Sequence, residues 1–572
     1  MSKTTKTTVA ERAGWRSALL LVGFAAAALV LEGRILYLQV VDRDFLAEQA
    51  NDRHLRTRQI SAHRGSLTDR HGEPLAVSTP VDTLYANPQE LKVALDRLGE
   101  LAAALDQDEE WLARRITSSL EREFVFLERQ ALPGTVAKAL SLGLPGVGTM
   151  REYRRYYPAG EVTAHVLGFT DVDDHGLEGL EAAFDHRLRG ENGSKRVLQD
   201  QRGTIIKDVE LLAAARPGRD LRTSLDLRLQ YLAYRELKAA VVASRARSGS
   251  VVILDPGTGE VLAMVNQPSY NPNDRAQYGV ETYRNLAVTD MFEPGSTFKP
   301  FVMAEALDSG DYTPRSIVDS QGALVVNGRI VTEEGADLGR VSLTTVLAQS
   351  SNVGAARVAL TREPHAIWDV LSGFGIGRLT DSAFPGESAG KLNDPQHWRT
   401  VGHATLSYGY GVQVTALQLA RAYAAIAAGG TLRPVSLLAL DEAPTGERVV
   451  SANTARELTR MLEAVVERGG TGQRAAVNNF HIAGKTGTSR KAVAGGYGDD
   501  HAAIFAGFAP ASQPRLVVVV MIDEPKGPYY GGDVAAPVFA NIVSGALRVL
   551  AIPPDALPAP ALTVVADVRV RP

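Results

Sequence analysis

The sequence predicts an α+β protein behind a single N-terminal membrane anchor. Three observations carry that reading. Residues 17–31, SALLLVGFAAAALVL, hold no charge; strand-like runs stand near residue 250 and again after residue 500; helical spacing fills the stretch between them. At 572 residues the chain is too long for one compact domain. Its net charge of −4, with no basic tract interleaved with aromatics, gives no case for a nucleic-acid partner. The absence of cysteine excludes disulfides, a thiol nucleophile and thiolate-bound zinc.

The anchor comes first. Lys3, Lys6, Arg12 and Arg16 precede the uncharged run against a single acid, Glu11, whereas the flank after it is mixed. This asymmetry leaves the tail, 1–16, in the cytoplasm and sends everything after about residue 42 outside. The pattern resumes in ILYLQVV after Glu32 and Arg34, so the signal anchor is expected over 17–41. A cleaved signal peptide has a similar apolar core, but no clean A-x-A site followed by a polar stretch is present.

Next, residues 53–80 read as extended segments with a turn at Asp69–Gly72, residues 88–143 as mostly helical, and 147–210 as short strands with glycine turns. No convergent catalytic set appears there, so 50–220 is expected to be a non-catalytic module. From 221 to 550 a second domain is expected. RTSLDLRLQYLAYRELKAAVVAS reads as a long helix opening after a Thr/Ser cap. SGSVVILD and GEVLAMVN flank a turn, HAAIFAGFAP and RLVVVVMIDEP read as two later strands, and SGALRVL as a closing helix. The first hairpin is expected to join the later strands in one antiparallel sheet. The Pro/Ala-rich tail, 551–572, is expected to be disordered.

Three short motifs in this second domain could carry chemistry. Ser296 and Lys299, in MFEPGSTFKP, fall at a helix start and on one helical face. A hydroxyl nucleophile needs a base, and a lysine serves if burial or another cation keeps it neutral. Taken alone, Ser296 is better explained as a capping serine. A second Ser-x-x-Lys, Ser388 to Lys391, sits among glycines with no apolar helix after it, which is loop chemistry. Ser350 and Asn352, in QSSNVG, lie between two helical segments and could present a hydroxyl and an amide to a cleft, or simply cap a helix. Ser451 and Asn453 repeat that spacing, but Ser451 is explained as a cap. Lys485-Thr486-Gly487-Thr488 is placed at the end of a strand, where Gly487 lets a ligand approach the backbone.

Together these three motifs are the set shared by penicillin-binding proteins and serine β-lactamases. The resemblance extends along nearly the whole chain, through GRILYLQVV, RGSLTDRHGEPLA, RRYYPAGEVTAHVLGFT, GLEGLE, VTDMFEPGSTFKP, YGYGVQVTALQLARAYAAIAAGG, ERGGTGQRAAV and YYGGDVAAPVF. The chain resembles class B penicillin-binding proteins, specifically the septal peptidoglycan D,D-transpeptidases of Gram-negative bacteria. That resemblance implies an elongated pedestal or dimerisation-type module at 50–220. It implies a penicillin-binding transpeptidase domain at 221–550, with an antiparallel sheet flanked by helices and an all-helical subdomain.

It further implies that Ser296 attacks a D-Ala-D-Ala stem peptide to form an acyl-enzyme, and that β-lactams acylate the same residue. Lys299 is the implied base, its ammonium disfavoured by burial and by Lys485. Ser350 relays a proton, and Asn352 orients Lys299 and the substrate amide. Backbone N–H groups of Ser296 and Thr488 form the oxyanion hole, while Thr486 and Thr488 hold the substrate carboxylate. Tyr529 and Tyr530 are read either as an apolar cleft wall or as core aromatics. No metal or cofactor is implied. The implied partners are the inner membrane, a SEDS-family glycan polymerase and other divisome proteins, with the catalytic domain periplasmic at the septum. Two alternatives use the same motifs: a D,D-carboxypeptidase or other serine acyl hydrolase, and a non-catalytic β-lactam sensor or scaffold. No Glu-x-x-x-Asn segment between Asn352 and Lys485 marks a class A β-lactamase.

Overall fold

The computed structural model describes residues 8–43, 55–199 and 205–556, apart from 275, 277, 278, 334 and 494. Most of the expected disordered tail and the first seven residues lie outside that range. The N-terminal helix, Thr8–Leu36, runs into a π-helical turn at Tyr37–Val41. Its apolar part, Trp15–Val41, is 27 residues long and contains an 18-residue window with a mean hydropathy of 2.0. At 1.5 Å per residue that is about 40 Å, enough to cross the roughly 30 Å hydrocarbon layer with some tilt. The helix starts inside the expected tail, because Thr8–Arg16 contains no helix breaker ahead of the apolar run except Gly14.

The chain divides into two compact units: residues 1–62, 80–153 and 191–216 form one, and 63–79, 154–190 and 217–572 the other. In the first unit, Leu55–Ile60, Gly193–Gln199 and Ile205–Ala213 make an antiparallel sheet with the second of these in the middle. Helices Leu98–Leu105, Glu109–Thr117 and Pro133–Ser141 enclose a core that includes Leu84, Leu101, Leu112, Ile116 and Leu127. The 88–143 stretch, read as mostly helical, also contains a strand, Val125–Ala131. Buried Val125 and Leu127 alternate there with half-buried Phe126 and Glu128, a two-residue period that a helix cannot satisfy.

The second unit is built on a five-stranded antiparallel sheet. Its strands are β1 (Ser248–Leu254), β2 (Val261–Gln267), β3 (Ala483–Val493), β4 (Gly496–Ala509) and β5 (Leu516–Asp523), in the order β2-β1-β5-β4-β3. The first hairpin joins the later strands through β1 and β5, as expected. Both faces are covered. Val518, Val520 and Ile522 meet helices α1 (Leu227–Ser244) and α7 (Gly531–Val549), while Val517, Val519 and Met521 meet α5 (Ala416–Ala427). Double burial explains why β5 reads as the continuous run LVVVVMI. Helix α1 is capped by the carboxylate of Asp226, which accepts from the Arg228 N–H at 3.0 Å, rather than by the Thr/Ser expected. Thr223 and Ser224 are instead held by strand-like backbone pairing and by a hydroxyl bond to Val261 O.

Three of the sequence blocks that carried the resemblance meet in this unit. Arg64 donates to Glu181 at 2.8 Å and to Asp185 at 2.7 Å, and Arg155 donates to the other oxygen of Glu181 at 2.6 Å. Arg64, Arg155 and Glu181 are buried. Two guanidinium forks around one carboxylate offset the desolvation that any one of these ions would suffer alone. Beside them Asp174 is pushed up to about 6 by burial, against the pull of both arginines.

His165 is fully buried nearby in the fold, its Nε2 2.9 Å from Thr282 O and its ring edge-on to Tyr270. Burial lowers its pKa to about 4. The unfolded chain therefore binds a proton below about pH 6.5 that the fold refuses until about pH 4, so stability falls as pH drops through that window. The ceiling is on the order of 3 kcal/mol. Asp174 acts in the opposite sense, which makes the difference between variants the useful quantity. His165→Gln keeps a donor for Thr282 O, and its Tm should fall less steeply than wild type between pH 6.5 and 4.5. Identical slopes by scanning calorimetry would refute the assignment.

Candidate active site

The site begins where EPGS turns the chain. Gly295–Phe298 forms a 3₁₀ turn that leads into α2, Lys299–Asp308, so Ser296 lies in the entry turn and Lys299 opens the α-helix. The missing amide of Pro300 costs nothing in a first turn. Every residue from Lys299 to Leu307 is buried. Glu305 on this helix is held by both Nε and Nη2 of Arg362, at 2.7 and 2.9 Å. The buried hydroxyl of Tyr423 on α5 donates to Thr297 O at 2.8 Å and fixes the turn from behind.

Lys299 is the centre of the constellation. Its Nζ lies 2.9 Å from Ser296 Oγ, 2.8 Å from Asn352 Oδ1, 2.5 Å from Ser350 O and 3.1 Å from Ser350 Oγ. The two later groups come from the junction between α3 (Leu343–Ala348) and α4 (Asn352–Leu360). Ser350 N–H bonds Leu347 O at 3.2 Å and Ser351 N–H bonds Val346 O at 2.9 Å, the paired closure of a left-handed helix terminus. Ser350 accordingly has φ +61°, a position that favours glycine and costs another residue on the order of 1–2 kcal/mol. That conformation turns both oxygens of Ser350 toward Lys299. Ser351 caps α4 by accepting from Gly354 N–H at 2.8 Å.

The third side is β3. Lys485-Thr486-Gly487-Thr488 lies near the start of the strand, which continues to Val493; the reading that placed it at a strand end is corrected. The strand runs on because every residue through Arg490 pairs in register with β4. Lys485 is fully buried, its Nζ 3.2 Å from both Thr486 O and Thr486 Oγ1. Thr486 Oγ1 also meets Thr471 Oγ1 at 3.0 Å. Thr488 Oγ1 accepts from Gly531 N–H at 3.0 Å, at the start of α7. Two glycines allow the strand and the Ser296 turn to touch. A Cβ on Gly487 would stand 2.8 Å from Pro294 O and from Thr297 Cγ2, and one on Gly295 (φ +53°) would stand 2.9 Å from Thr488 O.

Ser296, Ser350, Thr486, Thr488 and Tyr530 line one cleft of about 460 Å³, together with Glu333 and Thr471. Tyr530 is 45% exposed and its ring lies 4.6 Å from that of Tyr529, which stacks in turn on His501 at 4.2 Å. Glu293, three residues before Ser296, accepts from Gly411 N–H at 2.8 Å and Tyr497 OH at 3.1 Å, and burial raises its pKa. The two decoy motifs go elsewhere. Ser388 accepts from Gly390 N–H at 3.3 Å while Lys391 is exposed, and Ser451 caps α6, Ala452–Val466. Sequence reasoning missed Glu333 and Thr471. Thr471 stands in a quoted block, ERGGTGQRAAV, but Glu333 has no motif spacing that would have singled it out.

Comparison with known proteins agrees along the chain. Residues 249–544 match the penicillin binding protein transpeptidase domain, and residues 59–223 the penicillin-binding protein dimerisation domain. The peptidoglycan D,D-transpeptidase FtsI of Escherichia coli K12 is 44% identical over 553 residues, covering 95% of this chain and 93% of the relative. Among solved structures, a peptidoglycan synthetase from Bifidobacterium adolescentis shares the fold with a TM-score of 0.71 at 24% identity, over 88% of this chain and 98% of its own. The TP domain of Burkholderia pseudomallei penicillin-binding protein 3 is 42% identical with a TM-score of 0.55, covering 59% of this chain and 98% of its own.

The contact at Gly487 is directly testable. Gly487→Ala must move either β3 or the Ser296 turn by several tenths of an ångström. Labelling by a fluorescent β-lactam, the acylating reagent that the sequence resemblance implies, should slow by about 100-fold in its second-order rate constant. An unchanged rate would show that the strand and turn need not touch.

Proposed function

Because the chain belongs to the penicillin-binding protein transpeptidase family, we propose that Ser296 is the nucleophile of its reaction and Lys299 the base that activates it. The protein is a peptidoglycan D,D-transpeptidase of the septal type, acting on stem peptides and acylated by β-lactams. The observation that carries the assignment of roles is the position of Lys299 Nζ, 2.9 Å from Ser296 Oγ and bonded to both Ser350 and Asn352.

Ser296 Oγ attacks the carbonyl carbon of the penultimate D-Ala as its proton passes to Lys299 Nζ. The tetrahedral oxygen is held by the N–H groups of Ser296 and Thr488; losing one such donor typically costs about 100- to 1000-fold in rate. Collapse breaks the amide bond, and the leaving nitrogen of D-Ala takes a proton through Ser350 Oγ, 3.1 Å from Nζ. An acceptor amine then attacks the ester, gives its proton to the same relay, and forms the cross-link as Ser296 regains its hydrogen. Thr486 and Thr488 bind the terminal carboxylate, and Lys485, bonded to Thr486, supplies positive charge behind them. Asn352 holds Lys299 and the substrate amide. Tyr529 and Tyr530 wall the cleft, a role supported by the exposure of Tyr530 at its rim.

The N-terminal apolar helix fits a membrane-anchored division protein. Its orientation, tail inside and catalytic domain in the periplasm, is supported by the four basic residues ahead of the apolar run. A SEDS-family polymerase and other divisome proteins are the partners that this reading expects along the anchor and the 50–220 region. This reading calls for no cofactor.

Fluorescent penicillin should label wild type and Ser388→Ala equally and leave Ser296→Ala unlabelled; persistent labelling of Ser296→Ala would overturn the assignment. With a D-Ala-D-Ala donor and an acceptor amine, the product should be the cross-linked amide, whereas free acid alone would mark a carboxypeptidase. A phosphatase reporter fused after residue 556 should be active only outside the cytoplasm, and activity of a cytoplasmic reporter at the same place would reverse the orientation.

A further inference from the structure

We propose that Glu333 is a positioning residue for the Lys299 base, acting through the Ser350–Asn352 turn; the proposal rests on the reading of that site given above. Glu333 follows the short strand Arg329–Val331 and reaches the first turn of α4. There its carboxylate collects three donors. Ser351 Oγ and the Val353 N–H, at 3.3 Å, bond Oε1, and the Asn352 N–H bonds Oε2 at 2.8 Å. First-turn N–H groups have no partner within their own helix, so an anion at this end satisfies them and complements the helix dipole.

The residue gripped is the one that matters. Asn352 is held by its backbone through Glu333 and by its side chain through Thr332, whose carbonyl lies 3.5 Å from Nδ2. With Nδ2 facing Thr332, Oδ1 faces Lys299 Nζ, 2.8 Å away. Two adjacent residues therefore set both the place and the rotation of the catalytic amide. Ser351 spends its one hydroxyl proton on Glu333 and accepts from Gly354 N–H. This fixes the residue next to Ser350.

Ser350 needs such support. Its left-handed backbone is unfavourable for a serine, yet that conformation is what delivers its carbonyl and hydroxyl oxygens to Lys299. Releasing the neighbouring turn lets φ relax toward negative values and carries both oxygens away from the base. Glu333 also lines the cleft beside Ser296 and Ser350, so the clasp lies at the reacting groups. A displacement of about 1 Å in such a constellation costs on the order of 100-fold in rate.

The experiment separates recognition from chemistry in the full-length protein. Stopped-flow acylation by a fluorescent penicillin yields the dissociation constant of the first, non-covalent complex and the rate constant of acylation, each referred to the titrated fraction of labelled protein. Glu333→Ala should lower the acylation rate constant by about 10- to 100-fold. The dissociation constant should stay within about threefold of wild type. Glu333→Gln keeps the length and one acceptor, and should lose less. A wild-type rate constant in both variants would overturn the proposal, as would a loss confined to the dissociation constant or to the labelled fraction, the mark of a merely structural part. None of these results touches Ser296 as nucleophile, which stands or falls on the labelling of Ser296→Ala.

Discussion

A buried lysine nitrogen sets the terms for everything around it. Lys299 has no exposed surface, and an amine taken out of water must find its hydrogen-bond partners in the protein. Four oxygens from two separate segments supply them. Each of the three residues that carry them is aimed by a different device: the 3₁₀ entry turn for Ser296, a left-handed helix terminus for Ser350, and the first helical residue for Asn352. Removing any one device leaves the nitrogen short of a partner, and its burial becomes a cost.

The sheet enters this arrangement through close approach. β3 comes up to the Ser296 turn only because Gly295 and Gly487 offer no side chain at the contact. The same strand carries Lys485, Thr486 and Thr488, so the groups that would hold a carboxylate and those that would attack a carbonyl are set by one backbone spacing.

Patterns that are local in the chain were legible; those assembled from distant residues were not. Ser296 and Lys299 are three residues apart on one helical face, so their meeting followed from helix geometry alone. The strands β1, β2, β4 and β5, and their union in one antiparallel sheet, were readable from apolar runs and turns. By contrast, the strand Val125–Ala131 was hidden in a helical neighbourhood, because a seven-residue run gives few periods to count. Asp226 took the cap of α1 from the threonine and serine proposed, since all three are good caps and only tertiary packing selects among them. The left-handed Ser350 had no glycine to announce it. Arg64, Arg155 and Glu181 were visible as sequence blocks, but nothing in their spacing joined them. Glu333 is similarly remote, seventeen positions ahead of the serine whose neighbours it holds.

The order of the strands has a consequence for synthesis. β1 and β2 are made first and pair with each other, but the other edge of β1 waits for β5, which begins at Leu516. At roughly 5–20 residues per second, about 250 residues take on the order of 12–50 s to emerge. Throughout that interval a seven-residue strand buried on almost every position of the finished sheet presents an open, apolar edge. The nascent chain is therefore exposed to mispairing for far longer than a hairpin needs to form.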